Sequence, residues 1–202
     1  MPRPRLTEDQ LTETRERIVA AAKALFDDGG VQAVTIRALA ASVGMGTSTL
    51  YSYFGSTNEV LAAVWWDVVE ALEADLAAAA ADEPDPARRI SALVRAFVRF
   101  AQARPAEFKI TFLIADLPAS QVEMIAPEPT ERLGFKLLYD AVREAADGGT
   151  FDTADPALTA QAILASAYGA VAAPRTMSGF AWREPDELTE EVLRLHAVTF
   201  SG

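Results

Sequence analysis

The 202-residue sequence predicts an all-α protein, with a small amino-terminal helical module joined to a larger helical domain. Three observations favour this fold class. Apolar residues recur at helical spacing in one segment after another, Gly and Pro stand at the breaks between segments, and no segment shows the alternation of a strand. Half of the residues are hydrophobic and 23% are charged, as in ordinary globular proteins.

Three short helices are predicted before Gly55. The first stops at Gly29-Gly30, and the second begins after Thr35, an N-cap, and ends at Gly44, which can adopt the left-handed conformation. The third lies in TSTLYSYF, whose hydroxyls are expected to cap it. The apolar faces of these helices contain Ile18, Val19, Ala22, Leu25 and Phe26, then Ile36, Leu39, Ala40 and Val43, then Leu50, Tyr53 and Phe54.

A long fourth helix is predicted to begin at Ser56 and Glu59, which form an S-x-x-E capping box. It contains no Gly or Pro, so we place the domain boundary inside it, with residues 1–60 as the amino-terminal domain and 61–202 as the second. Asp85 and Pro86 predict the start of the next helix. Later helices are expected at Pro105 to Ala115, about Pro129 to Ala146, Asp155 to Ala173 and Asp186 to Val198.

The composition excludes several kinds of site. With no cysteine and one histidine, His196, the chain cannot form disulfides, thiolate nucleophiles or multi-histidine metal sites. Ser178, or Glu190 with Glu191, could be nominated for catalysis, but nothing orders them into a site. We therefore expect no enzyme activity, metal or cofactor. The sequence shows no signal peptide and no uninterrupted apolar run of ~20 residues, which predicts a cytoplasmic protein without a membrane partner.

The net charge of −11 is unevenly distributed along the chain. Residues 1–55 contain six basic and six acidic side chains, whereas the remainder contains twelve and twenty-three. All of the excess acidity therefore follows Gly55. The overall charge does not argue against nucleic-acid binding by the amino-terminal module.

The stretch GMGTSTLYSYFGSTNE, residues 44–59, has three possible interpretations. A phosphate-binding loop is disfavoured, because the preceding segment has a helical period and the Walker lysine is missing. Simple capping of packed helices needs one hydroxyl rather than three. The third interpretation is a helix-turn-helix, in which two short helices cross at Gly44 and the second enters the major groove of DNA. Its inward residues would be Leu39, Val43, Leu50 and Tyr53, and its outward residues Thr47, Ser48, Tyr51 and Ser52.

The run TRERIVAAAKALFDDGGVQAVTIRALAASVGMGTSTLYSYFGSTNEVL, from Thr14 to Leu61, resembles the tetracycline-repressor (TetR) family of bacterial transcription factors. The first helix, the T-x-R-x-L-A entry, the glycine turn, T-L-Y-x-Y-F and S-x-x-E-x-L occur in order. The resemblance implies a homodimeric repressor with an amino-terminal helix-turn-helix and a carboxy-terminal domain that dimerises and binds a small effector. Its partners would be a roughly palindromic double-stranded operator, a second copy and a hydrophobic small molecule.

The resemblance also implies roles for individual residues. Thr35 and Tyr51 would contact phosphates, and Gly46 and Thr49 would lie where the backbone approaches DNA. Tyr53 occupies the usual histidine position, and Thr57 stands where the family usually has lysine, which removes one phosphate contact. At or near base edges the resemblance places Arg37, Thr47, Ser48 and Ser52. Arg3 and Arg5, in the extended start, could reach a minor groove.

The carboxy-terminal domain offers less specific signals. Small residues on the penultimate helix would let another helix approach closely, and the resemblance favours a dimer interface with Ala165, Gly169, Leu193 and Val198. Aromatic and apolar residues on different helices could line an effector pocket, although such residues more often form core. The pocket candidates are Trp65, Phe97, Phe100, Phe108, Phe112, Met124, Tyr139 and Tyr168. Because Thr57 replaces the lysine, an alternative is a helical small-molecule-binding dimer with a weak or lost DNA-reading head.

Overall fold

The structure is a computed structural model that describes residues 7–113, 134–150 and 152–198. The described residues form helices and turns with no strand among them, which confirms the all-α fold. They divide into two compact units, residues 7–68 with 109–113, and residues 69–108 with 134–150 and 152–198. We call the first the reading head and the second the C-terminal unit. The division falls inside a continuous helix, between Val68 and Val69, and the boundary after residue 60 remains a prediction.

The reading head contains helices α1 (Glu8–Gly29), α2 (Ile36–Val43), α3 (Thr47–Tyr51) and the first half of α4 (Thr57–Ala81), with a 3-10 turn at Val31–Ala33. Thr7 and Gln10 form a capping box at the start of α1, which the sequence prediction did not include. The Thr35 hydroxyl accepts from the Ala38 amide at 3.2 Å, and Gly44 ends α2 with φ 70°. Both features were predicted.

The core of the reading head joins apolar side chains from all of its helices. Fully buried members include Ile18 of α1, Leu39 of α2, Leu50 of α3 and Val60 of α4, together with Phe54. Burying side chains of this size contributes about 1.5–3 kcal/mol each. Helix α3 is only five residues long and would not be stable alone, so its burial at Leu50 is what keeps it folded.

The start of α4 differs in one detail from the predicted capping box. The Ser56 hydroxyl accepts from the Glu59 amide at 3.2 Å, as expected. The Glu59 carboxylate, however, accepts from the amide of Gly55 at 2.8 Å rather than from that of Ser56. The carboxylate therefore binds the chain one residue earlier and ties the turn after α3 to the start of α4.

The C-terminal unit is a helical bundle made of the end of α4, α5 (Pro86–Ala103), α6 (Pro105–Phe108), α7 (Phe135–Asp147), α8 (Pro156–Thr176) and α9 (Pro185–Val198). Helix α5 packs against α7, α8 and α9. Asp85 caps α5 and Pro86 is its first residue, as predicted. The helical stretch predicted from Pro105 is present as far as Leu113, but it is not one α-helix, because α6 ends at Phe108 and a π-helical segment follows at Lys109–Leu113. Residues 114–115 and 129–133 of the predicted helices lie outside the described residues.

Within the described ranges, one helix, α8, is long and apolar enough to cross a membrane. Its buried residues include Ala160, Ile163 and Val171, and it packs against α5, α7 and α9. Contacts of this kind are those of a core helix in a bundle.

Candidate nucleic-acid interface

Helices α2 and α3 form the predicted helix-turn-helix. The left-handed Gly44 turns the chain between them, and the amide of Met45 donates to the Ala40 carbonyl at 2.9 Å to close the end of α2. Leu39 and Leu50 are fully buried, while Val43 and Tyr53 are half-buried. The inward face therefore follows the prediction, with Phe54 as a further buried member.

Helix α3 presents polar side chains to solvent. Thr47, Ser48, Thr49 and Ser52 are exposed, and Tyr51 retains 54% of its surface. The prediction that hydroxyls cap α3 is wrong, because Gly46 is the N-cap and no side chain binds there. No described group forms a hydrogen bond with the hydroxyls of Thr47, Ser48 or Thr49, and the Ser52 hydroxyl donates to the Thr49 carbonyl at 2.6 Å. Three hydroxyls on this face thus have no structural task.

The other predicted DNA contacts are distributed around α2, α3 and the start of α4. Thr35 is exposed, but its hydroxyl already caps α2. Thr57 is the first residue of α4 and is half-buried, and Gly46 is exposed in the turn before α3. Arg3 and Arg5 lie outside the described residues.

The basic side chains of the reading head are mostly engaged within it. Lys23 forms an ion pair with Asp67. Arg15 donates to the carbonyl of Tyr53 and stacks on Phe54, with 4.1 Å between its guanidinium carbon and the ring centroid. Arg17 donates to the Val43 carbonyl at 3.3 Å. Arg37 is exposed, and among the described residues it has no hydrogen-bond or ionic partner.

The sequence did not predict the contacts that Arg15 and Arg17 make. Both lie in the run that carries the family resemblance, but nothing in their spacing indicates that they bind backbone carbonyls of other helices. Only the packing of α1 against α2 makes this visible.

Comparison with known proteins identifies the family. Residues 18–64 match the family described as bacterial regulatory proteins, tetR family, and residues 90–196 match the tetracyclin repressor-like C-terminal domain. The second match alone covers more than half of the chain. The chain belongs to the TetR family. Its members are transcriptional regulators that bind DNA through a helix-turn-helix, the motif formed here by α2 and α3.

The chain is also similar to individual known proteins. The chain is 33% identical over 91 residues to the HTH-type transcriptional regulator BetI of Rhizobium meliloti (strain 1021), an alignment that spans 45% of each protein. A TetR/AcrR-family regulator from Thermobifida fusca superposes with a TM-score of 0.74 at 21% identity, over 94% of this chain and 100% of that one. The regulator PfmR from Thermus thermophilus superposes with a TM-score of 0.67 at 23% identity, over 93% and 96%. The two structural similarities show the fold.

The structure brings three of the predicted effector residues together in the C-terminal unit. The ring of Phe108 lies 6.0 Å from that of Phe97 and 6.1 Å from that of Tyr168. Arg175 lies over the Phe108 ring at 5.3 Å and donates to the carbonyls of Val171 and Ala101. Partial burial lowers the pKa of Arg175. This group combines aromatic surface with a guanidinium that has no carboxylate partner among the described residues.

The remaining effector candidates are placed elsewhere. Phe100 is buried under the guanidinium of Arg104, and half-buried Tyr139 lies beside Arg143. Trp65 and Phe112 belong to the reading head. Met124 lies outside the described residues.

A small apolar cavity lies beside Phe97 in the C-terminal unit. Its volume is about 30 Å³, room for one or two water molecules. A ligand of drug size needs about 300–1,000 Å³, so this cavity would have to widen to accept one. Its lining consists of Leu76, Leu93, Val94, Phe97, Gly134, Phe135, Leu138, Leu164 and Ala167.

The predicted dimer residues differ in exposure. Ala165 is exposed, and Gly169 is half-buried with open space where a Cβ would lie. Leu193 keeps only 9% of its surface, so it packs inside its own protomer. The side chain of Val198 lies outside the described residues. His196 is half-buried, its Nε2 lies 3.4 Å from the Ser166 hydroxyl, and burial lowers its pKa.

Proposed function

We propose that the protein is a cytoplasmic repressor that binds a roughly palindromic operator as a homodimer and responds to a small hydrophobic effector. The observation that carries this proposal is the exposed face of α3, where the hydroxyls of Thr47, Ser48 and Thr49 bind no described group. Exposed donors and acceptors on the second helix of a helix-turn-helix are suited to the edges of bases. Residues 1–60 would read DNA, and residues 61–202 would dimerise and bind the effector.

Two copies are required because α3 is short. A five-residue helix reads only a few base pairs, and a two-fold dimer places two such helices on half-sites about 34–36 Å apart. Thr47, Ser48, Ser52 and Arg37 would lie at or near base edges, and Tyr51 and Thr35 on phosphates. Gly46 and Thr49 would lie where the protein backbone approaches DNA.

The free charge of the reading head sets the salt dependence of operator binding. Among its described cations, Arg37 and Lys109 have no internal partner, and Thr57 occupies the position where the family usually has lysine. The logarithm of affinity falls with the logarithm of salt concentration by about 0.9 for each phosphate neutralised. We therefore expect comparatively salt-tolerant operator binding. A steep slope that is lost on neutralising residues other than Arg3 and Arg5 would contradict this.

Helix α8 supplies the surface that we assign to dimerisation. Leu158, Ala162, Ala165 and Gly169 follow one another at helical spacing and are exposed or half-buried in the single chain. Small side chains in such a stripe let a second helix pack closely. Leu193, being buried, would support this surface from within.

The effector would bind in the C-terminal unit. The apolar cavity beside Phe97 and the cluster of Phe97, Phe108 and Tyr168 support a small hydrophobic or aromatic ligand. Helix α4 is continuous through residues of both units, so we assign the coupling between ligand and DNA to it. Such coupling is reciprocal at equilibrium, and operator DNA would weaken effector binding by the same factor.

DNA selection tests the proposal directly. Duplexes recovered by the protein from a random-sequence library should share two inverted half-sites, with centres about one helical turn or a multiple apart. The double variant Thr47→Ala, Ser48→Ala should lose this enrichment while keeping the thermal stability of the parent, because both side chains are exposed. If the parent enriches no shared motif but still binds small apolar ligands, the protein is a ligand-binding dimer without a working reading head.

Effector control is tested with the selected duplex. A panel of phenol-sized aromatic compounds and medium-chain fatty acids should contain at least one member that shifts operator affinity, with an equal shift of its own affinity when duplex is present. Phe97→Leu should weaken that ligand and leave effector-free DNA binding unchanged. A ligand that binds the protein without any change in operator affinity would contradict effector control and leave the DNA-binding proposal standing.

A further inference from the structure

Two arginines of α1 bind the carboxyl ends of the two helices of the helix-turn-helix. Arg15 donates to the carbonyl of Tyr53, just after α3, and Arg17 donates to the carbonyl of Val43, the last residue of α2. The two arginines are separated by one residue, so a single turn of α1 contacts both helix ends. Arg15 also lies over the ring of Phe54, which is buried beneath it.

The chemistry of helix ends explains why guanidinium groups are found there. The last carbonyls of a helix have no partner within the helix, and the aligned peptide dipoles give that end a partial negative charge. A guanidinium compensates for the unpaired carbonyls and for the negative charge, since it offers several N–H donors in a fixed plane and is cationic. Neither α2 nor α3 has a basic residue of its own in its last turn. The compensating charge comes from α1 instead.

Helix α3 depends on outside support more than its neighbours. It has five residues, no side-chain cap at its start, and Leu50 as its buried residue. One buried side chain fixes where the helix lies but leaves it able to rotate about that contact. The Arg15 contact at Tyr53 and Phe54 supplies a second fixed point at the other end.

We propose that Arg15 and Arg17 are positioning residues of the reading head, which hold α3 and α2 against α1 so that the exposed hydroxyls of α3 meet DNA in one orientation. This inference rests on the proposed function. Both side chains are exposed, so the competing role is direct binding of DNA phosphates. The two roles differ in their dependence on salt and on DNA sequence, because phosphate contacts carry no sequence information.

The variants are Arg15→Met, which keeps the apolar stem, Arg15→Lys, which keeps the charge, and Arg17→Met. Arg183→Met is the matched control, because it removes the same charge from a side chain of the C-terminal unit that is 79% exposed. Two measurements are made on the full-length protein. The first is amide hydrogen exchange without DNA, and the second is affinity across a salt series for the selected duplex and for a shuffled duplex of equal length.

A positioning role predicts effects confined to α3 and to sequence-specific binding. Arg15→Met should raise exchange at the amides of Leu50 to Phe54 by about tenfold, the scale of one lost hydrogen bond, with α5 unchanged as the check on folding. Affinity for the selected duplex should fall by about tenfold, while the shuffled duplex and the salt slope stay as in the parent. Arg15→Lys should restore part of both losses, Arg17→Met should act in the same direction more weakly, and Arg183→Met should change neither.

Two results would overturn the inference. If amide hydrogen exchange in α3 is the same in Arg15→Met as in the parent, the Arg15 contact does not hold the helix, whether or not any DNA is bound. Equal losses on both duplexes, with a salt slope reduced by about 0.9 for each half-site, identify Arg15 as a phosphate ligand. If the parent protein selects no duplex, the proposed function fails, whereas the exchange measurement still decides whether Arg15 positions α3.

Discussion

In the reading head, the side chains that we assign to DNA binding are polar and exposed. In the C-terminal unit, the side chains that we assign to effector binding are mostly apolar and buried. The hydroxyls of Thr47, Ser48 and Thr49 bind nothing in the described chain. Phe97 and Phe108, by contrast, pack edge to face and would be needed by the core with or without a ligand. A binding role can therefore be recognised where a side chain has no role in the fold. It cannot be separated from packing where the same side chain would serve the core and the ligand.

Charge divides the two regions in the same way. The first 55 residues balance six basic with six acidic side chains, and the remainder has twelve against twenty-three. Arg15, Arg17 and Lys23 of the reading head are bound internally. The neutrality of the first 55 residues thus conceals how little of their positive charge is left for DNA.

Removing a buried ring of the C-terminal unit should change stability more than removing an exposed ring of the reading head. Phe108 is fully buried between Phe97 and Tyr168, so Phe108→Ala should lower the free energy of unfolding by about 3–5 kcal/mol. Tyr51→Ala, in the head, should change it by no more than about 0.5 kcal/mol and weaken DNA binding instead. Urea titration and DNA binding of both variants check this. Similar stability losses in the two variants would show that the Tyr51 side chain supports the fold as much as Phe108 does.

Arg37→Gln should give the next largest effect, on DNA alone. Arg37 is exposed and has no described partner, so losing its guanidinium at a base edge should cost about 1–3 kcal/mol of operator affinity. Unfolding should be unaffected. Arg88→Gln, an exposed position of α5, is the charge-matched control and should leave DNA binding unchanged.

Thr57→Lys should work in the opposite direction and by a smaller amount. A lysine at the first position of α4 adds a phosphate contact, so affinity at low salt should rise and the salt slope steepen by about 0.9 for each half-site. The positive end of the helix dipole should oppose the new charge and cost about 0.3–1 kcal/mol of stability. Thr57→Met, similar in length but neutral, separates the two effects. An unchanged slope in the lysine variant would place residue 57 away from the phosphates.

A weaker effect should be a pH dependence of stability that arises in the C-terminal unit. Burial lowers the pKa of His196 from its ordinary 6.5, so the unfolded chain takes up a proton more readily than the folded one. Stability should therefore decrease as the pH falls below about 6.5, until the folded state is protonated as well. His196→Asn should flatten this part of the stability curve, measured by urea titration at about pH 7.5 and about pH 5.5. A curve with the same slope in both proteins would remove His196 as its source.

Much of the reading head could be predicted from local signals. Thr35 and Gly44 mark the ends of α2 through chemistry that depends only on neighbouring residues. The cap of α3 was predicted incorrectly because three hydroxyls next to Gly46 suggested a side-chain cap, while the glycine itself adopts the extended cap geometry. Thr7 and Gln10 carried a legible capping-box pattern, T-x-x-Q, that predicts the start of α1.

The features that could not be predicted depend on contacts between residues far apart in the sequence. Arg15 and Tyr53 are 38 positions apart, and no periodicity links a guanidinium to a particular backbone carbonyl. Leu193 has the spacing of an interface residue, yet it is buried in its own protomer. The π-helical segment after α6 likewise has no marker comparable to a glycine or proline. Apolar spacing predicts that a residue is covered, but it does not predict what covers it.

The acidic remainder of the chain has a kinetic consequence for target search. Duplex DNA is a dense line of negative charge, and a surface with eleven excess carboxylates repels it over roughly a Debye length, about 8 Å in a cell. Collisions made by that part of the protein should end quickly, and those made by the first 55 residues, whose net charge is zero, should last longer. The charge imbalance would thus favour encounter complexes in which the first 55 residues face DNA. It would also shorten the time spent on chromosomal sequences other than the target.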